Sequence, residues 1–488
     1  MNPIQSITAA RQNPKVASFP QYDRTALQSG ILHMSVGGFH RSHQALYVHE
    51  FLQQHAEDWM IHGVGCLDSD LGLITAMRAQ QNLYSLIERS GTTDTMKVIG
   101  SINEFTHAPT QTQDVIDAIA SDAIRIVSLT ITEKGYCYDT HGNLDRNHPL
   151  IAAELAGATP RSAIALLFAG LQSRMQRRGT PVTVMSCDNL PGNGHVTARV
   201  LLQFADAMDV DTAAWIRTNV SFPNCMVDRI TPAPNETTVA LARDEFGVED
   251  PCAVASESFI QWILEDNFIN GRPALETVGV QIVDDVTPYE KMKVRLLNGS
   301  HSALSYLSYL MGYREVDVAM NDPLIREFVQ RYMDEDVTPS VPTVPGVDLT
   351  QYKRTLLDRF SNPAISDKIQ RLAMDGSQKI PNAIVPPIEY QLTNGGSIRY
   401  LAFALAAWYR YLRAIDEEGQ PIEITDPMST ELISRAKLNP DAPMHLIAVQ
   451  EIFGPALSSN QTLIGAVTEA LEAIDVMGTR NALTKLLN

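Results

Sequence analysis

Four short apolar runs, each closed by glycine or a polar turn and alternating with helix-compatible stretches, restrict this chain to a small set of folds. Residues 29–36 read as a strand, Gly37-Gly38 as its turn, and residues 40–53 as the helix that follows. Residues 59–65, 124–132 and 181–187 are three more apolar strands. Runs that are apolar throughout suit strands buried on both faces, and their alternation with helices predicts a largely parallel sheet. Ligands of such sheets lie beyond the carboxyl ends of the strands. Those ends carry the two glycines, Cys66-Leu67-Asp68-Ser69-Asp70, Glu133-Lys134-Gly135 and Asp188-Asn189-Leu190-Pro191-Gly192-Asn193.

The pattern changes near residue 287. Residues 287–313, 322–334, 351–360, 366–375, 397–415, 444–453 and 461–477 read as helices. Proline- and glycine-rich breaks separate them, the longest being Thr338-Pro339-Ser340-Val341-Pro342-Thr343-Val344-Pro345-Gly346. The expected fold is therefore α/β: a Rossmann-like N-terminal domain, residues 1–286, followed by a mainly α-helical C-terminal domain, residues 287–488. A chain of 488 residues is long enough for two or three domains. No internal repeat or low-complexity tract is present.

Composition narrows the partners. With a net charge of −18, the surface repels polyanions, so neither nucleic acid nor an anionic membrane is an expected partner. Hydrophobic residues make up 44%, an ordinary value for a folded chain. The five cysteines are scattered and form no CxxC pair, which suits a reducing compartment and offers no zinc signature. The N-terminus has no apolar signal core, and the longest apolar run, around residues 163–171, is too short to span a bilayer. A cytoplasmic location is the default expectation.

The turn Ser35-Val36-Gly37-Gly38-Phe39-His40-Arg41 is not a full GxGxxG. It nevertheless stands where a dinucleotide pyrophosphate approaches backbone N–H groups at a helix start, and only glycine leaves room there. Arg41 would add a cation beside the phosphates. Asp70 follows the second strand, the place of an acid that binds a ribose 2′-hydroxyl and repels a 2′-phosphate, which favours NAD; Asp68 competes for that role.

The chemistry is expected on residues 287–301, which read as one continuous helix. Thr287 is an N-cap, Pro288 suits the first turn, and Glu290 completes a capping box. At about 100° per residue, His301 lies about 80° and Asn298 about 140° around the axis from Lys293, so all three are expected to line one broad face toward a shared cavity. Alcohol oxidation without a metal needs a base for the hydroxyl proton. A lysine near a helix N-terminus and partly desolvated loses its proton more readily, which makes Lys293 a candidate general base. Asn298 can donate an amide N–H to a developing alkoxide, Asn189 offers a second donor, and His301 can position a hydroxyl. Asn and Gly both disfavour helix interiors, so the run Asn298-Gly299-Ser300-His301 carries a local cost that needs compensation.

These residues resemble the long-chain polyol-specific dehydrogenases, the mannitol dehydrogenase family. Three motifs carry the resemblance. The first is Gly37-Gly38-Phe39-His40-Arg41-Ser42-His43-Gln44. The second is Val184-Met185-Ser186-Cys187-Asp188-Asn189-Leu190-Pro191, with Ser221-Phe222-Pro223-Asn224 and Val227-Asp228-Arg229-Ile230-Thr231-Pro232. The third is Lys293-x4-Asn298-x2-His301. Phe360-Ser361-Asn362-Pro363 and Glu451-Ile452-Phe453-Gly454 extend it toward the C-terminus. The resemblance implies that Lys293 is the acid/base and that Asn189 and Asn298 form the oxyanion hole. His301, Asp228, Arg371 and Lys379 would contact the polyol chain, and Glu290 would pass protons to solvent. Val36, Gly37, Gly38, Phe39, His40, Arg41, Asp70 and Glu133 would serve the cofactor, NAD. The family needs no zinc, and many members work as monomers, the state expected here.

Two positions depart from the family pattern: Ser35 stands where glycine is usual, and Ser69 where an acid often precedes the Asp70 position. The implied reaction is interconversion of D-mannitol and D-fructose. Reduction of fructuronate or tagaturonate is the alternative, and a cofactor-binding protein without catalysis is a third reading.

Overall fold

The apolar runs become the core strands of one parallel sheet. The computed structural model describes residues 3–91, 93–139 and 142–488 and divides into two compact units, Met1–Val286 and Thr287–Asn488. In the first unit the strands are β1 (Ser29–Met34), β2 (Met60–Gly65), β3 (Ile102–His107), β4 (Ile126–Leu129), β5 (Val182–Ser186) and β6 (Val220–Ser221). They pair in parallel in the order β3-β2-β1-β4-β5-β6. That is the Rossmann order, and the winding reverses between β1 and β4, which is where a crevice for ligands opens.

Burial explains why alternation is absent. Every residue of β1, β2, β4 and β5 is buried. Leu32, Met34, Val127 and Val184 face one core with Val115 of helix Thr112–Ala120 and Leu167 of helix Ala163–Gln176. Ile31, Ile61, Ile126 and Met185 face the other, with Val48 and Phe51 of helix Gln44–Gln54.

The expected helix at residues 40–53 is two helices, Gly38–Ser42 and Gln44–Gln54, broken at His43, which has φ −118° and ψ −88°. The imidazole of His43 bonds the Gln261 carbonyl at 2.8 Å, a tertiary tie that local sequence does not show. Two further sheets were not legible in the sequence. One has Val16–Ser18, Asp94–Ile99, Tyr84–Arg89 and Val254–Glu257 in that order, and the other has Cys225–Asp228, Gln261–Glu265 and Gln281–Val283.

The second unit is mainly helical. Helix Arg399–Leu412 is buried nearly all round and packs against Gly299–Leu310 and Gln461–Leu487. The expected helix at 287–313 is interrupted: Thr287–Lys293 and Gly299–Leu310 are α-helical, and Val294–Asn298 between them is a π turn. A second π turn, Tyr332–Val337, follows helix Pro323–Arg331. Among the described residues, no helix is long and apolar enough to cross a membrane.

Candidate active site

In the first unit the glycine turn follows β1 directly. Ser35 ends the strand because its backbone is left-handed, with φ 70°. Its N–H donates to the Val64 carbonyl at 2.7 Å, and its carbonyl accepts the Thr130 hydroxyl at 2.9 Å. A left-handed L-residue costs about 1–2 kcal/mol, of which glycine's extra unfolded-state entropy would return about 0.5–1 kcal/mol. Ser35→Gly is therefore expected to stabilise the protein by about 0.5–1 kcal/mol. A thermal melt checks this, and an unchanged or lowered Tm would count against strain at this turn.

Beyond Ser35, Val36 is buried against Gly63 of β2, where a Cβ would lie 2.9 Å from Val36 Cγ2. Gly37 is exposed, and a Cβ built on it meets no atom within 4 Å; one on Gly38 would lie 3.1 Å from Pro234 Cδ. The bare backbone of Gly37 thus faces open space. Phe39 stacks on His43 with centroids 4.9 Å apart. His40 is buried and stacks on His33 at 3.4 Å, and burial holds its pKa well below the usual value. His33 is pushed down to about 3 by burial, and its ring nitrogens share hydrogen bonds with the Ser128 and Thr130 hydroxyls, each 2.8 Å.

Arg41 is turned inward. Its side chain is 3% exposed and turns into the protein, donating to the Cys252 carbonyl and, from Nε, to the Gly37 carbonyl at 3.3 Å. The guanidinium lies 5.5 Å from the Tyr84 ring centroid. Its side chain thereby braces the turn from within.

Beyond the end of β2 the two competing acids have different partners. Asp68 pairs with Arg161 at 2.9 Å on the surface. Asp70 folds back, one oxygen accepting the Leu67 N–H at 2.9 Å. Glu133 is exposed in the one-turn helix Thr132–Gly135 after β4. Asn189 is exposed after β5, and Asp228 is buried at the end of strand Cys225–Asp228.

In the second unit the π turn lies between Lys293 and Asn298. It holds one residue more per turn and so winds the helix back by about 100°. Relative to Lys293, Asn298 moves from about 140° to about 40°, and His301 from about 80° to about 20° on the other side. Three residues expected along one broad face of a straight helix are therefore drawn onto a narrower one. Lys293 is 6% exposed. It lies nearly two turns inside the helix that starts at Thr287, beyond the reach of the helix N-terminus. The Asn298 amide oxygen is buried without a hydrogen-bond partner. Glu290 sits in the first turn of the same helix, half-buried.

Helices Ile369–Ala373 and Gly376–Ala383 pack on Gly299–Leu310 and bring in the other expected contacts. Arg371 forms a two-pronged pair with Asp367, Nε to Oδ1 at 2.6 Å. Burial works against its charge, but the bonds to Asp367 outweigh it and raise the Arg371 pKa. Lys379 donates to the Leu372 carbonyl at 3.2 Å. His301 stands 4.5 Å from the Phe360 ring. Burial pushes His301 down to about 3; Asp367 opposes this, and Arg371, Arg359 and Lys379 reinforce it. Its imidazole is therefore neutral at ordinary pH and serves as a hydrogen-bond partner.

Sequence reasoning missed Asp367, Arg359, Arg295 and Tyr289. The Asp367-x3-Arg371 spacing was a readable signal, since residues four apart on a helical turn are neighbours. Arg295 donates to the Ser340 carbonyl and Tyr289 to the Pro345 carbonyl at 2.8 Å, tying the proline-rich strap to the helix that carries Lys293. Nothing local marks that contact. Among the described residues, no cluster of His, Cys, Asp or Glu suits a metal ion.

Comparison with known proteins fits both units. Residues 29–277 match the model of the mannitol dehydrogenase Rossmann domain, and residues 285–475 that of the mannitol dehydrogenase C-terminal domain. The chain belongs to the mannitol dehydrogenase family. It is 42% identical over 483 residues to a mannitol 2-dehydrogenase of Aspergillus fumigatus, covering 97% of this chain and 96% of the relative. It is also 42% identical over 473 residues to the D-mannonate oxidoreductase of Escherichia coli, covering 96% and 97%. Among solved structures, Pseudomonas fluorescens mannitol 2-dehydrogenase, a ternary complex with NAD and D-mannitol, matches with a TM-score of 0.90 and 42% identity over 98% of each chain. The family and the fold read from the sequence are thus borne out.

Proposed function

We propose that this member of the family interconverts D-mannitol and D-fructose, with Lys293 as the acid/base. Belonging to the family makes it an NAD-dependent polyol dehydrogenase. The residues present fit the cofactor: the open space before Gly37 is where a Cβ would intrude on a pyrophosphate, and Asp70 follows β2 in the turn where a ribose hydroxyl would bind. When bound, NAD supplies the hydride acceptor for the carbinol carbon.

The protein's own residues handle the proton and the charge. Lys293, as a neutral amine, takes the hydroxyl proton as the carbon–hydrogen bond breaks, and in ketone reduction it returns that proton as an ammonium. Asn298 offers its amide to the developing alkoxide, and the resemblance assigns Asn189 the matching role. Neutral His301 orients a neighbouring hydroxyl, and Glu290 passes the proton from Lys293 to solvent. The observation that supports this reading is the π turn Val294–Asn298, since one extra residue per turn brings Lys293, Asn298 and His301 toward one face.

Asp367 supports a neutral substrate, because it already occupies the fork of Arg371. The uronate alternative has its own support: Arg359, Arg371 and Lys379 set three cations against one carboxylate around His301. NADH oxidation with D-fructose, and separately with D-fructuronate, decides between them, with NADPH as the control. Fast turnover of fructose with NADH is the expected result. Turnover of fructuronate alone would move the substrate class and leave the role of Lys293 in place, and preference for NADPH would remove Asp70 as a ribose ligand.

A further inference from the structure

We propose that Asp188 is a positioning residue for the reaction, one carboxylate that sets both the loop carrying Asn189 and the turn carrying Glu133. The proposal rests on the functional reading above for the importance of those two residues. Asp188 is 8% exposed and lies two residues beyond the end of β5. Its Oδ1 accepts the Thr132 N–H at 2.8 Å, and its Oδ2 accepts the Ile131 N–H at 2.9 Å and the Tyr136 hydroxyl at 2.7 Å. Its own carbonyl accepts Asn193 Nδ2 at 3.0 Å. A single side chain thus clamps the carboxyl ends of β4 and β5, neighbours in the sheet.

A buried aspartate that merely satisfies loop N–H groups is common. Thr132 sets this one apart. Thr132 is β-branched yet left-handed, with φ 63°. Such a conformation is an outlier for a β-branched residue and persists only where the surroundings over-determine it. The two N–H bonds to Asp188 come from that strained residue and the one before it, directly ahead of Glu133, while Asn189 follows directly on Asp188, whose carboxylate and carbonyl are both bonded.

Asp188→Asn tests the proposal. The amide keeps the shape but replaces one acceptor with a donor facing an N–H, so one bond becomes a repulsion. With the protein still folded by circular dichroism, kcat is expected to fall on the order of 10²-fold, the cost of a misplacement near 1 Å, with the KM for polyol changing far less. The affinity for NADH, read by fluorescence titration, should fall as well. Adding Thr132→Gly, which removes the strain at φ 63°, should recover part of the loss. Should Asp188→Asn fail to fold, Asp188→Glu keeps the charge, displaces the carboxylate by one methylene, and carries the same expectation. A kcat and an NADH affinity within twofold of the wild type, in a variant whose Tm alone is lowered, would overturn the proposal and leave Asp188 a structural cap. If the wild type turns over neither fructose nor fructuronate, the functional reading fails, while the NADH titration of the variant still decides the role of Asp188.

Discussion

Lys293→Ala is expected to lower kcat in both directions by about 10²–10⁴-fold, the usual contribution of a positioned acid/base. The proton on the substrate hydroxyl must go somewhere as the hydride leaves, and Lys293 is the basic group on the face that Asn298 and His301 share. His301 cannot substitute as an acid, because burial holds its pKa at about 3 and keeps it neutral. The sign of the pH dependence follows from the chemistry. Oxidation needs the neutral amine, so its rate should rise with pH through the ionisation of Lys293. Reduction needs the ammonium and should fall over the same range. The variant should lose both limbs. Steady-state kinetics across pH, in both directions, is the check; a variant that keeps the wild-type profile would remove Lys293 from the mechanism.

Gly299→Ala should be nearly as damaging, though Gly299 touches no reacting atom. A Cβ at this position would lie 2.8 Å from the Tyr332 hydroxyl and 3.2 Å from the Ala383 carbonyl. Tyr332 is fully buried and cannot swing aside. The overpacking costs about 1–3 kcal/mol, against about 1 kcal/mol that alanine gains over glycine in helix propensity. The net effect on stability is therefore modest. The effect on rate is not, because the helix must shift where the π turn hands over to Gly299–Leu310, and that shift changes the angle between Lys293 and His301. A loss on the order of 10²-fold in kcat is expected. Tyr332→Phe removes the obstructing hydroxyl, which is buried without a partner, and should restore much of the activity in the double variant. Wild-type kcat in Gly299→Ala alone would show that the π turn does not set the geometry.

The two predictions separate what kind of information each residue carries. Lys293, Asn298 and His301 were legible as residue types and spacing, whereas Gly299 read only as an unfavourable helix residue. Its meaning comes from Tyr332 and Ala383, which no local pattern connects to it. The two acids after β2 make the same point: both were plausible ribose ligands, and the pairing of Asp68 with Arg161, far along the chain, is visible only in the fold.

The sequence by itself determined the sheet, its glycine turn, the helical second half and the family. These follow from local properties: continuous apolar runs make buried parallel strands, and glycine admits close backbone approach. Tertiary structure alone decided the small sheets, where Val254–Glu257 pairs with Tyr84–Arg89 across a long chain separation. It also turned Arg41 inward, gave Asp188 its two loops and inserted the π turn. The physical reason is common to all of these. Periodicity assumes a constant angle per residue, and a charge is assumed to face water, but packing overrides both where a buried carbonyl, a strained turn or a neighbouring ring supplies compensating contacts.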